Sequence, residues 1–386
     1  MRDMQIETTY LSDLARAWAS GVQGAVPAPD GLDADTFMRL IGQQPVLQTL
    51  VPCLDRTVLQ PSVCRRLDQE VEVAERRTVM LLLELERVLP ALAEVGCRPV
   101  VLKGASLALT VYPRPEDRWF VDLDLLVAQD ELSTVYEALQ RLGYHFSENA
   151  AAGELYDRYH FHRIMVSNQG VCLEVHWAVT LPESVYSHDL EALTHGAVEI
   201  PLGGASFLAP SAVDQILHGV LQSIADGFGD LRRLLDLHLL DSRLTAEERE
   251  QLCARARAAN LSTGLWLQYF LREQILGAEA PAFLHRFCGS ESAMMRTMEQ
   301  LGVAESCLTG RAERDRGYAD LMHWVCVPRN LRGREMRRYI FPGMGGLVNS
   351  GLCRNGPLPM WKRWRLAATR SLVAGRMISE WARAAV

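Results

Sequence analysis

The sequence predicts an α+β fold in which a small mixed β-sheet is flanked by an N-terminal helical region and a helical C-terminal half. Two observations support this class. Apolar residues recur with helical spacing towards both ends of the chain, and short apolar or alternating runs of strand length cluster between residues 97 and 205. Strand signals end at Pro210. We therefore divide the chain into a helical region at 1–96, a sheet-containing core at 97–209 and a helical domain with a basic tail at 210–386.

The length and composition are those of an ordinary globular protein. The chain has 386 residues, of which 48% are hydrophobic and 23% are charged, so it is long enough to bury a sizeable core. No run approaches the roughly 18 consecutive apolar residues of a membrane span, and the first residues lack the apolar segment of a signal peptide. The nine cysteines form no CxxC pair, which argues against a disulfide framework or a zinc site. We expect a cytoplasmic protein without membrane contact.

The net charge of −7 is unevenly distributed along the chain. Residues 329–386 contain twelve Arg or Lys and two Glu, a net charge of +10, so the rest of the chain carries −17. An acidic body argues against long contacts with a nucleic-acid backbone, and we do not expect nucleic acid as a partner. The basic tail is expected to be a solvated helix face, with an anionic partner as the alternative.

Helical elements are predicted at both ends of the chain. Short helices interrupted by turns fill residues 1–62, and a long helix runs from about residue 64 to 95. Pro90 is expected to kink this long helix or to split off its last turn. After Pro210 we expect a series of helices, at 211–227, 230–242, 245–260, 262–277 and, with basic and amphipathic character, 361–385.

Strand signals are confined to the predicted core. A short apolar run at 98–102 predicts a buried strand, and a turn at 103–106 leads into a helix that begins near Leu107. Alternation of apolar and polar residues predicts a second strand at 120–127, followed by a helix at 130–142. Two further strands, at 159–166 and 171–179, are expected to pair around a hairpin turn at 167–170.

Two acidic residues alternate with apolar residues on the strand predicted at 120–127. Asp122 and Asp124 stand at positions i and i+2, so both carboxylates lie on the same face of the strand. Like charges about 6–7 Å apart repel each other and are costly to bury, and a divalent cation removes that cost. Oxygen ligands on a rigid strand suit Mg²⁺. Glu174, between two apolar residues, would be a third carboxylate if its strand lies beside the first.

A glycine-containing turn is expected directly after the first predicted strand. The segment Lys103-Gly104-Ala105-Ser106 would present backbone N–H groups and a hydroxyl to an anion, and Gly104 allows close approach because it lacks a side chain. Lys103 is one of only two lysines among forty basic residues, and lysine acts as a compact point charge on phosphate. The turn therefore predicts a phosphate-binding element, with an ordinary strand-to-helix connection as the alternative.

These motifs follow one another in an order that resembles the polymerase-beta-like nucleotidyltransferase superfamily. The chain looks like a bacterial branch of uncharacterised nucleotidyltransferases, in which an LKGxxL motif, a Tyr-Pro pair, an SDIDLLV motif and a DLHW motif occur in turn. The corresponding segments here are 102–108, 112–113, 121–127 and 174–177. Glu174 stands where this branch usually has aspartate, and Val121 where it usually has a small polar residue.

The resemblance implies a two-metal transfer of an NMP group from an NTP, such as ATP, to a hydroxyl acceptor. By that resemblance, Asp122 and Asp124 would hold both of two Mg²⁺ ions. Glu174 would bind one of these ions and help to activate the acceptor hydroxyl. In-line displacement at the α-phosphorus would release pyrophosphate.

The resemblance also implies a set of nucleotide-binding residues. Gly104 and Ser106 would hold the triphosphate together with Lys103. His176 follows Glu174 by two residues and so shares its predicted face, where it would position a phosphate or the third acid. A purely structural histidine is the alternative for His176.

Several functional hypotheses remain open at the level of the sequence. The acceptor is expected to be a small molecule or a peptide natural product, and a toxin-like activity on tRNA is an alternative. A second alternative is a non-catalytic nucleotide-binding adaptor with the same fold. A third is a helical interaction protein with a coincidental Asp-x-Asp motif, and it fails if residues 97–180 form a mixed sheet.

Other polar side chains have structural interpretations that we favour. His160 and His162 are expected at the surface or in packing, because no matching carboxylate lies near them in sequence, and a ligand pair is the alternative. Arg232, Arg233 and Asp236 are expected on an ion-paired helix face. Contact between the two arginines and phosphate groups is the alternative.

Overall fold

The computed structural model describes residues 4–22, 24–57, 59–148, 150–281, 291–350, 352 and 359–384. In this part of the chain, helices surround one mixed sheet of seven strands, which confirms the predicted α+β class. The strands are β1 (Val100–Leu102), β2 (Asp122–Leu126), β3 (Tyr144–Phe146), β4 (His162–Ser167), β5 (Cys172–His176), β6 (Val198–Leu202) and β7 (Ala205–Ala209).

The helices lie before, between and after these strands. Those that precede or accompany the sheet are α1 (Gln5–Ala19), α2 (Ala34–Gln43), α3 (Leu47–Leu50), α4 (Pro61–Glu94), α5 (Lys103–Thr110), α6 (Leu132–Arg141), α7 (Ala150–Tyr159) and α8 (Leu190–His195). Those that follow it are α9 (Ala212–Ala225), α10 (Leu231–Asp241), α11 (Ala246–Ala258), α12 (Ser262–Leu276), α13 (Glu291–Gln300), α14 (Val303–Thr309), α15 (Arg311–Arg314), α16 (Arg316–Cys326), α17 (Arg332–Ile340), α18 (Met344–Asn349) and α19 (Met360–Ala384). No helix in the described ranges is both long and apolar enough to cross a membrane.

The sheet has the strand order β3-β4-β5-β2-β1-β7-β6. Strands β2 and β5 are parallel, as are β1 and β7, and the other neighbours are antiparallel. The hairpin predicted around residues 167–170 is confirmed as the β4–β5 pair. Because β5 lies beside β2, the two strands that carry the predicted acids are adjacent.

The two faces of the sheet have different surroundings. One face packs against α4 and α6 in a buried cluster that includes Leu85, Val101, Leu123, Leu125 and Leu173. Side chains of a strand alternate between faces, so the acids that flank these leucines point to the other side. A second, larger cluster joins the N-terminal helices to α9, α10 and α12. The acid-bearing face is therefore turned towards the helical half of the chain.

Three features differ from the predicted elements. The long helix α4 is not split at Pro90 but continues to Glu94, and leucines on either side of the proline are held in the core under the sheet. No separate turn follows β1, because α5 begins at Lys103 itself. Strands β3, β6 and β7 were not predicted, although the Gly203-Gly204 pair between β6 and β7 is a typical two-residue hairpin signal.

Candidate active site

The acidic residues lie on the two central strands of the sheet. In the parallel pairing of β2 with β5, Asp124 stands directly opposite Glu174. Asp122 and Asp124 share one face of β2, and the residue between them, Leu123, is fully buried in the core on the other face. The strand of Glu174 therefore lies beside the strand of Asp122 and Asp124, which is the condition for the three carboxylates to form one site.

Lys103 contacts the carboxylates. Its Nζ donates a hydrogen bond to Asp124 Oδ1 at 2.5 Å and lies 3.6 Å from Glu174 Oε2. In the antiparallel β1–β2 pair, Leu102 stands opposite Asp124, so the next residue emerges at the level of the acids. Lys103 has a φ of 46°, a left-handed conformation that costs a non-glycine residue about 1–3 kcal/mol. The ion pairs of its ammonium group offset this cost.

His176 completes the contacts around Asp124. Its Nε2 lies 3.0 Å from Asp124 Oδ1 and 3.1 Å from Glu174 Oε2. The position follows from β5, because residues 174 and 176 project from the same face of a strand. The imidazole is almost fully buried. The structure therefore brings His176 into direct contact with two of the three predicted acids.

Burial and neighbouring charges divide the acids into two classes. Burial, with the negative charges of Asp124 and Glu174, raises the pKa of Asp122 to about 6. Burial acts in the same direction on Asp124, but Lys103 and His176 outweigh it and hold the pKa of Asp124 below its usual value. The pKa of Glu174 falls to about 2, because the hydrogen bond with His176 and the charge of Lys103 outweigh its burial. Of the three carboxylates, Asp122 is the one whose negative charge is least stabilised by its surroundings.

The pKa values of the two basic groups rise in response to the carboxylates. Burial alone would lower the pKa of His176, but its contacts with Asp124 and Glu174 hold this pKa above its usual value. Burial is opposed in the same way at Lys103, whose pKa is raised by the surrounding carboxylates. Two basic side chains therefore face three acids. Within the described residues, Asp122 forms no hydrogen bond or ion pair.

A cavity of about 210 Å³ lies between the acid-bearing face of the sheet and the helices α9 and α10. The acids and a group of basic side chains border the same space. Its charged lining residues include Lys103, Arg118, Asp122, Asp124, Arg232 and Arg233. Gly104, at the start of α5, also lines the cavity. A cavity bordered by both carboxylates and arginines suits a ligand that carries both phosphate groups and a metal ion.

The paired arginines of α10 are held by acidic partners. Arg232 donates to the carbonyl oxygen of Trp119 at 2.7 Å and pairs with Asp230 at 2.7 Å. Arg233 pairs with Asp226 and lies 3.4 Å from Asp230. The predicted ion-paired helix face is therefore present. The same two guanidinium groups border the cavity, so the structural and the phosphate-binding interpretations are compatible.

A buried network ties the sheet region to α10. Arg118 donates two hydrogen bonds to the carboxylate of Asp236, at 2.9 and 2.8 Å, and the hydroxyl of Tyr112 donates a third at 2.8 Å. All three side chains are buried. Burial and the charge of Asp236 raise the pKa of Tyr112. Because Arg118 lies shortly before β2, this network fixes α10 relative to the acid-bearing strand.

His162, for which the sequence predicted a role at the surface or in packing, lies close to Glu174. It stands opposite His176 in the antiparallel β4–β5 pair, and its Nε2 lies 3.9 Å from Glu174 Oε2. Its carboxylate neighbour was not evident near it in the sequence, because Glu174 lies on the next strand. The predicted hairpin around residues 167–170 could have indicated this contact. Strands that pair around that turn bring His162 opposite the end of β5.

Ser106 is not brought to the cavity. Its side chain is fully buried, and its hydroxyl has no hydrogen-bond partner within the described residues. The cause is the early start of α5. Residues two apart on a helix are rotated by about 200°, so Gly104 borders the cavity while Ser106 turns into the protein.

We expect Gly104→Ala to destabilise the protein. A Cβ at this position would lie 2.6 Å from the Cβ of Phe120, a buried side chain that cannot move freely. Overpacking of this kind costs about 1–3 kcal/mol, which urea unfolding would measure. The matched control is Gly375→Ala in α19, where no described atom lies within 4 Å, so alanine should be neutral or stabilising there. Equal unfolding midpoints for Gly104→Ala and the wild type would contradict the close packing of α5 on β2.

Comparison with known proteins places the chain in a family. The sequence profile of a family described as "Uncharacterised nucleotidyltransferase" matches residues 30–277. This segment is more than half of the chain, and it contains the seven strands, the three acids and the helices that border the cavity. No curated protein is significantly similar to the chain. With the sheet, the acids and the family profile in agreement, the chain belongs to the family of uncharacterised nucleotidyltransferases.

Proposed function

We propose that the protein is a Mg²⁺-dependent enzyme that transfers an NMP group from an NTP to a hydroxyl acceptor. One observation carries the proposal: Asp122, Asp124 and Glu174 lie on neighbouring parallel strands, and the first two face a cavity that is also lined by basic side chains. Membership of a nucleotidyltransferase family supports the type of reaction. The metal, the nucleotide and the acceptor are the parts that we add.

The donor set fits a divalent cation. Asp122 has a raised pKa and no ion-pair partner within the described residues, so binding a cation would relieve the cost of its ionisation. Carboxylate oxygens on rigid strands are ligands that Mg²⁺ accepts, with substrate phosphates completing its shell. Asp122, Asp124 and Glu174 would hold the metal. When bound, it would stabilise negative charge on the phosphate oxygens and on the leaving group.

The side chains around the cavity would bind and orient the nucleotide. The first N–H groups of α5, beginning at Lys103 and Gly104, have no partner within their own helix and favour an anion. Arg232 and Arg233 approach the same cavity from α10. Lys103 reaches the carboxylates and the cavity, and so can neutralise phosphate charge next to the acids. Ser106 is left out of the proposed phosphate contacts because its hydroxyl is buried elsewhere.

The proposed transfer exchanges one oxygen substituent of the α-phosphorus for another. The acceptor oxygen forms a bond to the α-phosphorus, and the bond from that phosphorus to the oxygen bridging to the β-phosphate breaks. Pyrophosphate leaves, and the hydroxyl proton passes to a carboxylate of the triad. The acids must therefore be reachable by the acceptor from a side that the triphosphate does not fill.

A second and larger cleft is lined by His162, whose Nε2 lies 3.9 Å from Glu174 Oε2. It has a volume of about 990 Å³ and is lined on one side by His160 and His162, and on the other by Tyr339, Arg370 and side chains from α16 and α19. Both signs of charge are present, since Asp320 and Arg370 border it together. A small molecule or a peptide matches this mixed lining better than a long phosphate backbone does. We propose that the acceptor binds there.

The proposal is tested by label transfer with the full-length protein. Each α-³²P-labelled NTP is incubated with the protein, Mg²⁺ and a cell extract as the source of acceptors, beside EDTA-treated and Asp122→Asn samples. We expect label in a new product with intact protein and Mg²⁺ only, because the carboxylate and the cation act together. Magnesium-dependent nucleotide binding without transfer from any NTP to any acceptor would instead favour a non-catalytic adaptor.

A further inference from the structure

One end of the acid cluster contains nitrogen as well as oxygen donors. His162, Glu174 and His176 each offer one ligand atom, and these atoms all lie within 4.8 Å of one another. We call this set the His-Glu-His cluster. Glu174 belongs to it and to the proposed magnesium site, whereas the two imidazoles have no part in the carboxylate triad.

The pairing of β4 with β5 brings the residues of the His-Glu-His cluster together. In the β4–β5 pair His162 stands opposite His176, and Glu174 lies two residues before His176 on the same face of β5. The imidazole rings of His162 and His176 are 4.8 Å apart between centroids. His176 is almost fully buried, and the side chains of His162 and Glu174 are only 15% and 16% exposed. Three donors on two rigid strands are therefore held close together with little freedom to separate.

The two separations from Glu174 are close to those expected around a shared ion. His176 Nε2 lies 3.1 Å and His162 Nε2 lies 3.9 Å from Glu174 Oε2. Ligands about 2.1 Å from a common ion are themselves about 3–3.5 Å apart. His162 also lines the large cleft, so an ion can reach the cluster without passing through the nucleotide cavity.

The chemistry of the donors selects the kind of ion. Mg²⁺ prefers oxygen ligands, whereas imidazole nitrogen is a better ligand for transition-metal ions. We propose that the His-Glu-His cluster binds a divalent first-row transition-metal ion, and that it does so in preference to Mg²⁺. This inference rests on the proposed function, because it specifies the ion at the Glu174 end of the same site.

Lys103 is a cation that opposes this ion directly. Its Nζ lies 3.6 Å from Glu174 Oε2, close enough to repel a metal bound there. The side chain is long and borders the nucleotide cavity, where phosphate groups would provide another partner. Replacement of the ammonium group should therefore strengthen metal binding at the cluster, whereas loss of an imidazole should weaken it.

The test measures metal coordination and not turnover. Mn²⁺ is bound to the full-length wild-type protein, grown once with natural-abundance histidine and once with ¹⁵N-labelled histidine. Pulsed electron paramagnetic resonance then detects any nitrogen bound to the manganese. We expect ¹⁴N coupling that is replaced by ¹⁵N coupling in the labelled sample. Bound Mn²⁺ without nitrogen coupling in the wild type overturns the proposal, and this readout does not depend on any variant folding.

The Mn²⁺ affinities of substituted proteins provide a second, quantitative test. His162→Gln should weaken Mn²⁺ binding at least about tenfold, as the loss of ligand-sphere interactions does, and leave Mg²⁺ binding unchanged. The matched control is His195→Gln, which removes an exposed imidazole at the end of α8 and should leave Mn²⁺ binding as in the wild type. Equal Mn²⁺ affinity in His162→Gln and the wild type would overturn the proposal.

The two proposals fail separately. Nitrogen coupling in a protein that transfers no nucleotide supports the His-Glu-His cluster and counts against the proposed activity. Label transfer with Mg²⁺ in a protein whose bound Mn²⁺ has no nitrogen ligand supports the activity and overturns the cluster.

Discussion

Asp124→Asn is expected to lower the rate of nucleotidyl transfer about 10³-fold, a loss comparable to removal of a principal charge-stabilising group in other enzymes. Asp124 is the centre of the candidate site. It accepts the hydrogen bond from Lys103, lies 3.0 Å from His176 and stands opposite Glu174 on the next strand. The amide keeps the shape of the side chain but cannot bind a cation with a full negative charge. Initial rates of ³²P transfer at saturating NTP measure the effect.

The control for Asp124→Asn is the same change at Asp130. Asp130 is exposed in the short turn after β2, close in sequence but on the surface, so Asp130→Asn should retain the wild-type rate. Thermal unfolding of both variants establishes that each is folded. Wild-type turnover by folded Asp124→Asn would rule out the metal-binding role of this carboxylate.

Asp236→Ala is expected to cause the largest loss of stability, about 3–5 kcal/mol in the free energy of unfolding. The substitution leaves the guanidinium of Arg118 buried without its paired carboxylate and removes the acceptor of the Tyr112 hydroxyl. Both partners are buried, so water cannot replace the lost contacts cheaply. The shift of the urea unfolding midpoint measures the loss.

An exposed ion pair provides the comparison for Asp236→Ala. Glu72 pairs with Arg76 on the surface of α4, where both side chains are more than half exposed. Glu72→Gln should leave the unfolding midpoint unchanged, because solvent screens such pairs. If Asp236→Ala shifts the midpoint no more than Glu72→Gln does, the buried network does not join α10 to the sheet region as described.

The features that depend on local pattern were predictable from the sequence. Asp122 and Asp124 share a face because a strand alternates, and the apolar neighbours of Glu174 point to the core for the same reason. The family resemblance supplied the order in which these strands carry the acids, and the matching family profile supports it. The division of the chain at residues 96 and 209 stays a prediction.

The features that depend on pairing between strands were not predictable from local pattern. His162 reaches Glu174 only because β4 and β5 pair with a particular register. Lys103 reaches Asp124 because β1 pairs with β2 and because the residue adopts a left-handed conformation that its type disfavours. Strand β6 escaped prediction although its apolar residues alternate with Glu199 and Pro201, because a proline within a short run argues against a strand except at the edge of a sheet, where β6 lies.

The contact between Lys103 and Asp124 bears on whether the protein needs a bound metal ion in order to fold. An uncompensated group of buried carboxylates would make folding depend on the prior capture of an ion, as it does in small domains built around a metal. Here the chain brings its own counter-charge, at 2.5 Å from the central acid. We therefore expect that folding of the protein does not depend on the prior capture of a metal ion. In the proposed function, binding of the metal would exchange one positive charge for another, and a phosphate-bearing ligand that draws the ammonium group of Lys103 away would make that exchange easier.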